Sequence, residues 1–155
     1  MKKKHVKDST VTMIQRMTPL DVNLAGNVHG GVIMRLIDDA AAAVATRHVR
    51  GNTVTASIDR LDFHHPVYIG DLLKINASIN LVGKTSMEIG VRVESENLLT
   101  GDIHHTATAY LTYVALDKDG KPMQVPPVIF DTVVEKRRNR EAIERREIRL
   151  HEMRS

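Results

Sequence analysis

The chain has 155 residues, 42% hydrophobic and 26% charged, which suffices for one domain with a buried core. It has no cysteine, so disulfides, thiolate nucleophiles and cysteine-based zinc sites are excluded, and no apolar run reaches membrane-spanning length. The net charge of +3 is local: from Glu135 onward 8 Lys/Arg stand against 5 Asp/Glu, and the remainder is balanced.

Met1-Lys2-Lys3-Lys4-His5 is basic and leads into polar sequence, without a signal-peptide core, so a cytoplasmic location is expected. Residues 10–17 are rich in β-branched side chains and predict a strand, closed by Thr18-Pro19. A loop carrying Asn23 follows. Ile33, Leu36, Ile37, Ala40, Ala41 and Val44 then recur at the helical period and predict a helix from about Gly30 to His48. The run Ala40-Ala41-Ala42-Ala43 allows a sheet to approach that helix closely.

Strands are predicted over 53–63, 72–82, 85–96 and 103–116. In the first, the apolar phase switches near Asp59-Arg60, which predicts a bulge. The next two alternate apolar and polar residues, with one face dry and one wet. Turns are expected at Gly70-Asp71, Gly83-Lys84, Thr100-Gly101 and Asp119-Gly120. Pro126-Pro127 breaks the chain, and after Asp131, a candidate N-cap, a charged helix is expected to about Arg149.

These elements predict an α+β fold, one long helix wrapped by consecutive antiparallel strands. Residues 1–130 form the domain and 131–155 a charged helical extension. A single sheet around one helix leaves open edges, and dimerisation is the natural remedy.

Asn23 and Asp38 are the leading candidates for chemistry. Gly30 and Gly31 open the helix, where free N–H groups and the positive dipole end can hold a developing negative charge. Asp38 lies about two turns along, where an acid can activate water or attack a carbonyl. Burial in apolar helix surroundings would raise its basicity. Read alone, Asp38 is more readily a solvated residue beside Asp39, and Asn23 and Asn27 are turn residues or caps.

Gly83-Lys84-Thr85-Ser86 is a hairpin turn that also offers a cation, hydroxyls and N–H groups suited to phosphates; Arg60 at the bulge could serve likewise. His64-His65 and His104-His105 are neighbours on strands and point to opposite faces, so no metal site is expected. With 3% aromatics, no Trp and acids interleaved through the basic tail, nucleic acid binding is not expected.

The block Asn23-x-x-Gly26-Asn27-x-x-Gly30-Gly31-x-Ile33-Met34-x-x-Ile37-Asp38 resembles that of hotdog-fold acyl-CoA thioesterases. The likeness is to the broad-range bacterial and brain-type cytosolic acyl-CoA hydrolases. Asp62-Phe63, Pro66, Gly70-Asp71, Gly83-Lys84-Thr85-Ser86, the segment Ser95 to Gly101 and Val125-Pro126-Pro127 extend the likeness over residues 9 to 130. The resemblance implies hydrolysis of acyl-CoA to fatty acid and CoA, with no cofactor beyond the coenzyme A of the substrate. It implies a homodimer with sites between protomers, often three dimers in a hexamer.

On that pattern Asp38 is base or nucleophile and Asn23 comes from the opposing subunit. The N–H of Gly31, with Gly30, polarises the thioester oxygen, and Gly83, Lys84, Thr85, Ser86 and Arg60 bind CoA. Two rival readings are a non-catalytic acyl-CoA sensor and an acyl-CoA dehydratase or hydratase. Sensors of that type carry a DNA-binding segment, and about nine residues before the first strand are too few for one. Dehydratases pair an aspartate with a catalytic histidine.

Overall fold

In a computed structural model that describes residues 1–154, the chain forms β1 (Lys4–His5), β2 (Val11–Arg16), α1 (Gly30–Val49), β3 (Thr53–Phe63), β4 (Leu72–Val82), β5 (Ser86–Glu96), β6 (Ile103–Ala115), β7 (Val128–Ile129) and α2 (Val133–Arg154). The expected extension over 131–155 includes Ser155, which lies outside the described residues. β2, α1, β3, β4, β5 and β6 stand within a few residues of their predicted bounds, and α2 runs on to Arg154, past the expected end near Arg149.

Five strands make one antiparallel sheet in the order β2-β4-β5-β6-β3. The strands are consecutive along the chain but not all consecutive in space. β3 lies beside β6 at one edge, and β2 takes the place beside β4. Periodicity sets which face a residue occupies, not which strand it meets. β3 carries register shifts at Thr55/Ser57 and Ile58/Arg60, so the expected bulge is present and a second precedes it.

The sheet curls around α1. Ile33, Leu36, Ile37, Ala40, Ala41, Val44 and Ala45 of the helix are buried against Leu73, Ile75, Ile79, Met87, Ile89, Val93, Leu111 and Tyr113. The C-terminal end of α1 is closed by β1 and β7, a two-residue parallel pair too short for any periodic signal. There His48 is fully buried, its Nε2 2.7 Å from the Pro126 carbonyl and its Nδ1 without a partner.

The outer face of the sheet is drier than its alternating pattern predicts. Glu88 is only 3% exposed because α2 covers it. Arg145 donates to both carboxylate oxygens of Glu88, at 2.9 and 2.8 Å, and Asn80 Nδ2 donates to the same group at 3.1 Å. Asn80 fits only because Gly90 faces it: a Cβ there would lie 2.4 Å from Nδ2. Arg149 and Thr112 both donate to Asp59, at 3.1 and 2.7 Å. Arg145 and Arg149 are therefore docking groups, while most of the other charges of α2 stay exposed. The helix cap is Thr132, not Asp131: Thr132 Oγ1 accepts the Glu135 N–H, and Glu135 accepts the Asp131 N–H in return. Asp131 instead bonds His5 at 2.8 Å.

Burial pushes the His48 pKa below its ordinary value, more than its bond to Pro126 raises it. Such a group contributes its full stability above the unfolded value of about 6.5 and loses it as pH falls toward the folded value. Urea unfolding at pH 7.5 and 5.5 should show a loss on acidification that is smaller in a His48→Gln variant. Equal losses in the two proteins would remove His48 as its source.

Candidate active site

The N-terminal end of α1 is built by the loop before it. Asn23 Oδ1 accepts the N–H groups of Ala25 and Asn27, at 2.9 and 3.2 Å, and Gly26 takes the left-handed conformation with φ +89°. Asn23 thus does serve as a turn residue, yet it stays exposed and its amide nitrogen remains free. The loop is fastened by His29 N–H to Asp21 O and by Val28 N–H to Val67 O, both 2.8 Å. Asn27 bridges to Tyr68, a structural role that matches the turn reading of that residue.

Gly30 and Gly31 begin the helix, and no acceptor among the described residues takes their N–H groups. A Cβ on Gly31 would meet nothing within 4 Å, and one on Gly30 only the Phe63 ring at 3.6 Å. Nothing within one protomer requires glycine at position 31.

Asp38 is half-buried on the same helix. Its Oδ1 accepts from Thr55 Oγ1 at 3.0 Å and from the Tyr113 hydroxyl, which also reaches the Asp38 carbonyl at 3.1 Å. Its surroundings are therefore two hydroxyl donors, not the apolar environment expected from the helix pattern. Tyr113 is 1% exposed, and burial first, then its bond to Asp38, pushes its pKa far above the ordinary tyrosine value. The phenol keeps its proton and remains a donor. Oδ2 of Asp38 has no partner among the described residues.

One oxygen of the carboxylate is thus held and the other is available. Neither Thr55 nor Tyr113 figured among the candidates. Tyr113 carried a signal: a tyrosine at a core position among alanines needs a partner for its hydroxyl.

No hydrogen bond joins Asn23 to Asp38 within the protomer. Seven residues of helix separate Gly31 from Asp38, a rise of about 10 Å. The free N–H groups and the free carboxylate oxygen of one copy cannot grip the same carbonyl.

Gly83-Lys84-Thr85-Ser86 is the β4–β5 turn, closed by Gly83 N–H to Ser86 O at 2.8 Å. Lys84 is exposed and unpaired, and Gly83 leaves room for the Arg146 guanidinium of α2. Thr85 O accepts the Ala115 N–H, and Ala115 pairs with Thr53, so this turn lies at the Thr55 end of β3. Arg60 does not join it. Arg60 pairs opposite Tyr110 and Ser86 opposite Val114, about 13 Å apart along β6, and Arg60 bonds Asp62 at 2.7 Å. Among the described residues no three His, Cys, Asp or Glu side chains converge on a metal position. The paired histidines meet each other instead across β3 and β6.

A model of the thioesterase superfamily matches residues 25–101. The chain is 42% identical, over 90% of its own length and 81% of the other's, to an uncharacterized acyl-CoA thioester hydrolase of Bacillus subtilis. The chain belongs to the thioesterase superfamily. Among solved members of that superfamily, an apo-hexameric acyl-CoA thioesterase superimposes with a TM-score of 0.95 at 38% identity, covering 99% of this chain and 98% of that one.

The acyl-CoA hydrolase of Staphylococcus aureus, solved with butyryl coenzyme A, coenzyme A and coenzyme A disulfide, gives a TM-score of 0.92 at 34% identity. That match covers 98% of this chain and 93% of that one. The S. aureus enzyme has also been characterised with an asparagine, an aspartate or a threonine replaced by alanine. The intervals along the chain between those three positions equal those between Asn23, Asp38 and Thr55.

Hydrogen bonds to a charged group contribute about 1.5–3 kcal/mol each. A Tyr113→Phe variant should therefore lose about 10- to 100-fold in thioester hydrolysis while remaining folded. Wild-type turnover in this variant would show that the phenol plays no part in holding Asp38.

Proposed function

We propose that this protein hydrolyses acyl-CoA thioesters to free fatty acid and CoA, with each active site composed from two copies of the chain. The observation that carries the reading is Asp38, with one oxygen held by Thr55 and Tyr113 and the other free, about 10 Å along the helix from the unpaired N–H groups. One protomer supplies Asp38 and Thr55. The other supplies the N–H groups of Gly31 and Gly30, together with the free amide of Asn23.

The open edge of β3 supports such a pairing. It exposes Val54, Ile58 and Phe63, at 46, 40 and 50%. If two β3 strands pair antiparallel, the Thr55 end of one lies beside the Phe63 end of the other. Phe63 in turn adjoins Gly30. Three such dimers form the hexamer in this reading, as the hexameric relative suggests.

The thioester carbonyl sits with its oxygen toward the Gly31 and Gly30 N–H groups. Asn23 orients water or the thioester. Asp38 takes a proton from water as the water oxygen bonds to carbon, and the oxygen charge that develops is held at the helix end. Collapse breaks the carbon–sulfur bond, and the thiolate leaves as CoA, taking up the proton. Direct attack by Asp38 gives the same products through an anhydride that water then opens. A thioester has weak carbonyl resonance and a good leaving group, so neither route needs a metal.

The CoA phosphates lie on Lys84 with Thr85, Ser86 and the Gly83 turn, at the same end of the sheet as Thr55; Arg60 is a more distant contributor. Asp38 has hydroxyl partners and no histidine partner, which favours hydrolysis over dehydration. No helix among the described residues is long and apolar enough to cross a membrane, and a cytoplasmic site of action completes the reading.

Asp38→Ala should nearly abolish thiol release from acyl-CoA with the oligomer intact, and Asn23→Ala should also be weak. Co-assembly of the two inactive variants should restore about a quarter of wild-type activity, because half of the dimers then carry one complete site. Activity in Asp38→Ala alone, or none recovered on mixing, refutes the shared site.

A further inference from the structure

Four histidines with no part in the reaction meet where β3 ends and β6 begins. His64 and His65 follow Phe63; His104 and His105 stand second and third in β6. Backbone pairing continues one step beyond β3, with His64 N–H donating to Thr106 O at 2.8 Å. The rings then pack in two cross-strand pairs. His65 and His104 stack with centroids 3.8 Å apart and planes 6° apart, and the His64 and His105 centroids lie 4.6 Å apart. Each ring thereby faces a second imidazole across the join.

The segment these rings anchor runs from His64 to Asp71 and supports the Asn23 loop. Val67, 1% exposed, accepts the Val28 N–H, and Tyr68 bridges Asn27. At its far end the segment is fastened to Met17, by Gly70 N–H to Met17 O and by Met17 N–H to Asp71 O, both 2.9 Å. At its near end the fastening is the backbone bond of His64 and the two ring pairs. The Asn23 loop therefore rests on a strap held at one end by backbone bonds to Met17, where the Asp71 carboxylate also accepts the Tyr68 N–H at 3.0 Å, and at the other end by the histidine join.

Uncharged imidazoles stack without penalty, whereas two imidazolium rings at these separations repel. From β5, Arg92 and Glu94 face His105 and bond each other at 3.2 Å; the effect of Arg92 on His105 is the larger. Burial, then Arg92 and His64, lower the His105 pKa from its ordinary value, while Ala107 and Glu94 raise it. His65 Nδ1 lies 2.7 Å from the Pro66 carbonyl, and His105 Nε2 2.7 Å from Thr108 Oγ1. Protonation of both members of a pair sets like charges against each other across the join between the strap and β6.

We propose that His64, His65, His104 and His105 are positioning residues whose two cross-strand ring contacts clamp the strap and through it the Asn23 loop, so that acidification loosens the loop and slows hydrolysis. The link to hydrolysis rests on the role assigned to Asn23 above. The clamp itself does not. Each pair takes a first proton without repulsion and is strained only by the second, so each is linked to one proton; the two pairs together give a response steeper than the one-proton titration of a single carboxylate, and one pair alone does not.

The test compares the full-length protein with His65→Gln/His104→Gln and His64→Gln/His105→Gln variants. Hydrogen exchange on the resting protein, expressed as protection factors, should show protection at Asn27 and Val28 falling about tenfold between pH 7.5 and 5.5 in the wild type, and less in the variants. kcat/KM against pH should show an acid limb steeper than one proton in the wild type, reduced to one proton in the variants, with activity at pH 7.5 retained within about twofold.

Unchanged wild-type protection across that range overturns the clamp and needs no variant to fold. Acid limbs of equal steepness in wild type and variants overturn its link to catalysis. If the chain proves not to hydrolyse acyl-CoA at all, there is no rate to follow, but the exchange measurement still decides the clamp.

Discussion

The arrangement of this protein depends on how closely a sheet can approach one helix. Ala40 and Ala41 are fully buried on the inner face of α1, and larger residues there would hold the strands away. Because β6 comes close, the Tyr113 hydroxyl can reach both the backbone and the carboxylate of Asp38. A small-residue face chosen for packing thereby sets the orientation of the acid. The core and the candidate site are two ends of one contact.

The helix also imposes the division of labour. Its first turn offers unpaired N–H groups and its third carries the acid, and an α-helix cannot fold back to bring them together. A site needing both must borrow one from another copy. The open edge of β3 is the element that can present them to each other, since antiparallel pairing sets the start of one strand against the end of its partner. The fold leaves that edge unpaired, with apolar side chains along it, where a monomer would be expected to protect it.

Much of this was legible in the sequence. The long strands and α1 followed from period alone, and the bulge near Asp59 from a change of phase. Strand order was not legible, because alternation fixes faces and says nothing of neighbours. β1 and β7 were invisible, being two residues each. Asp38, Asn23 and the two glycines stood out through their block. Thr55 did not, because a threonine in a β-branched run reads as an ordinary strand residue.

Arg60 and Lys84 looked equivalent along the chain, and only the register of β6 separates them. The capping box Thr132-x-x-Glu135 was readable, and Asp131 drew attention away from it.

The outer helix has a consequence for how the sheet assembles. Glu88 and Asn80 belong to different strands, yet both must face outward for α2 to seat. Sliding the β4–β5 hairpin by one position would turn that carboxylate inward beneath α1, with no guanidinium to meet it. Misaligned hairpins are therefore rejected twice, once by an unaccompanied charge in the interior and once by a tail with nowhere to dock. A segment that follows the hairpin along the chain thus acts as a proofreader for its pairing.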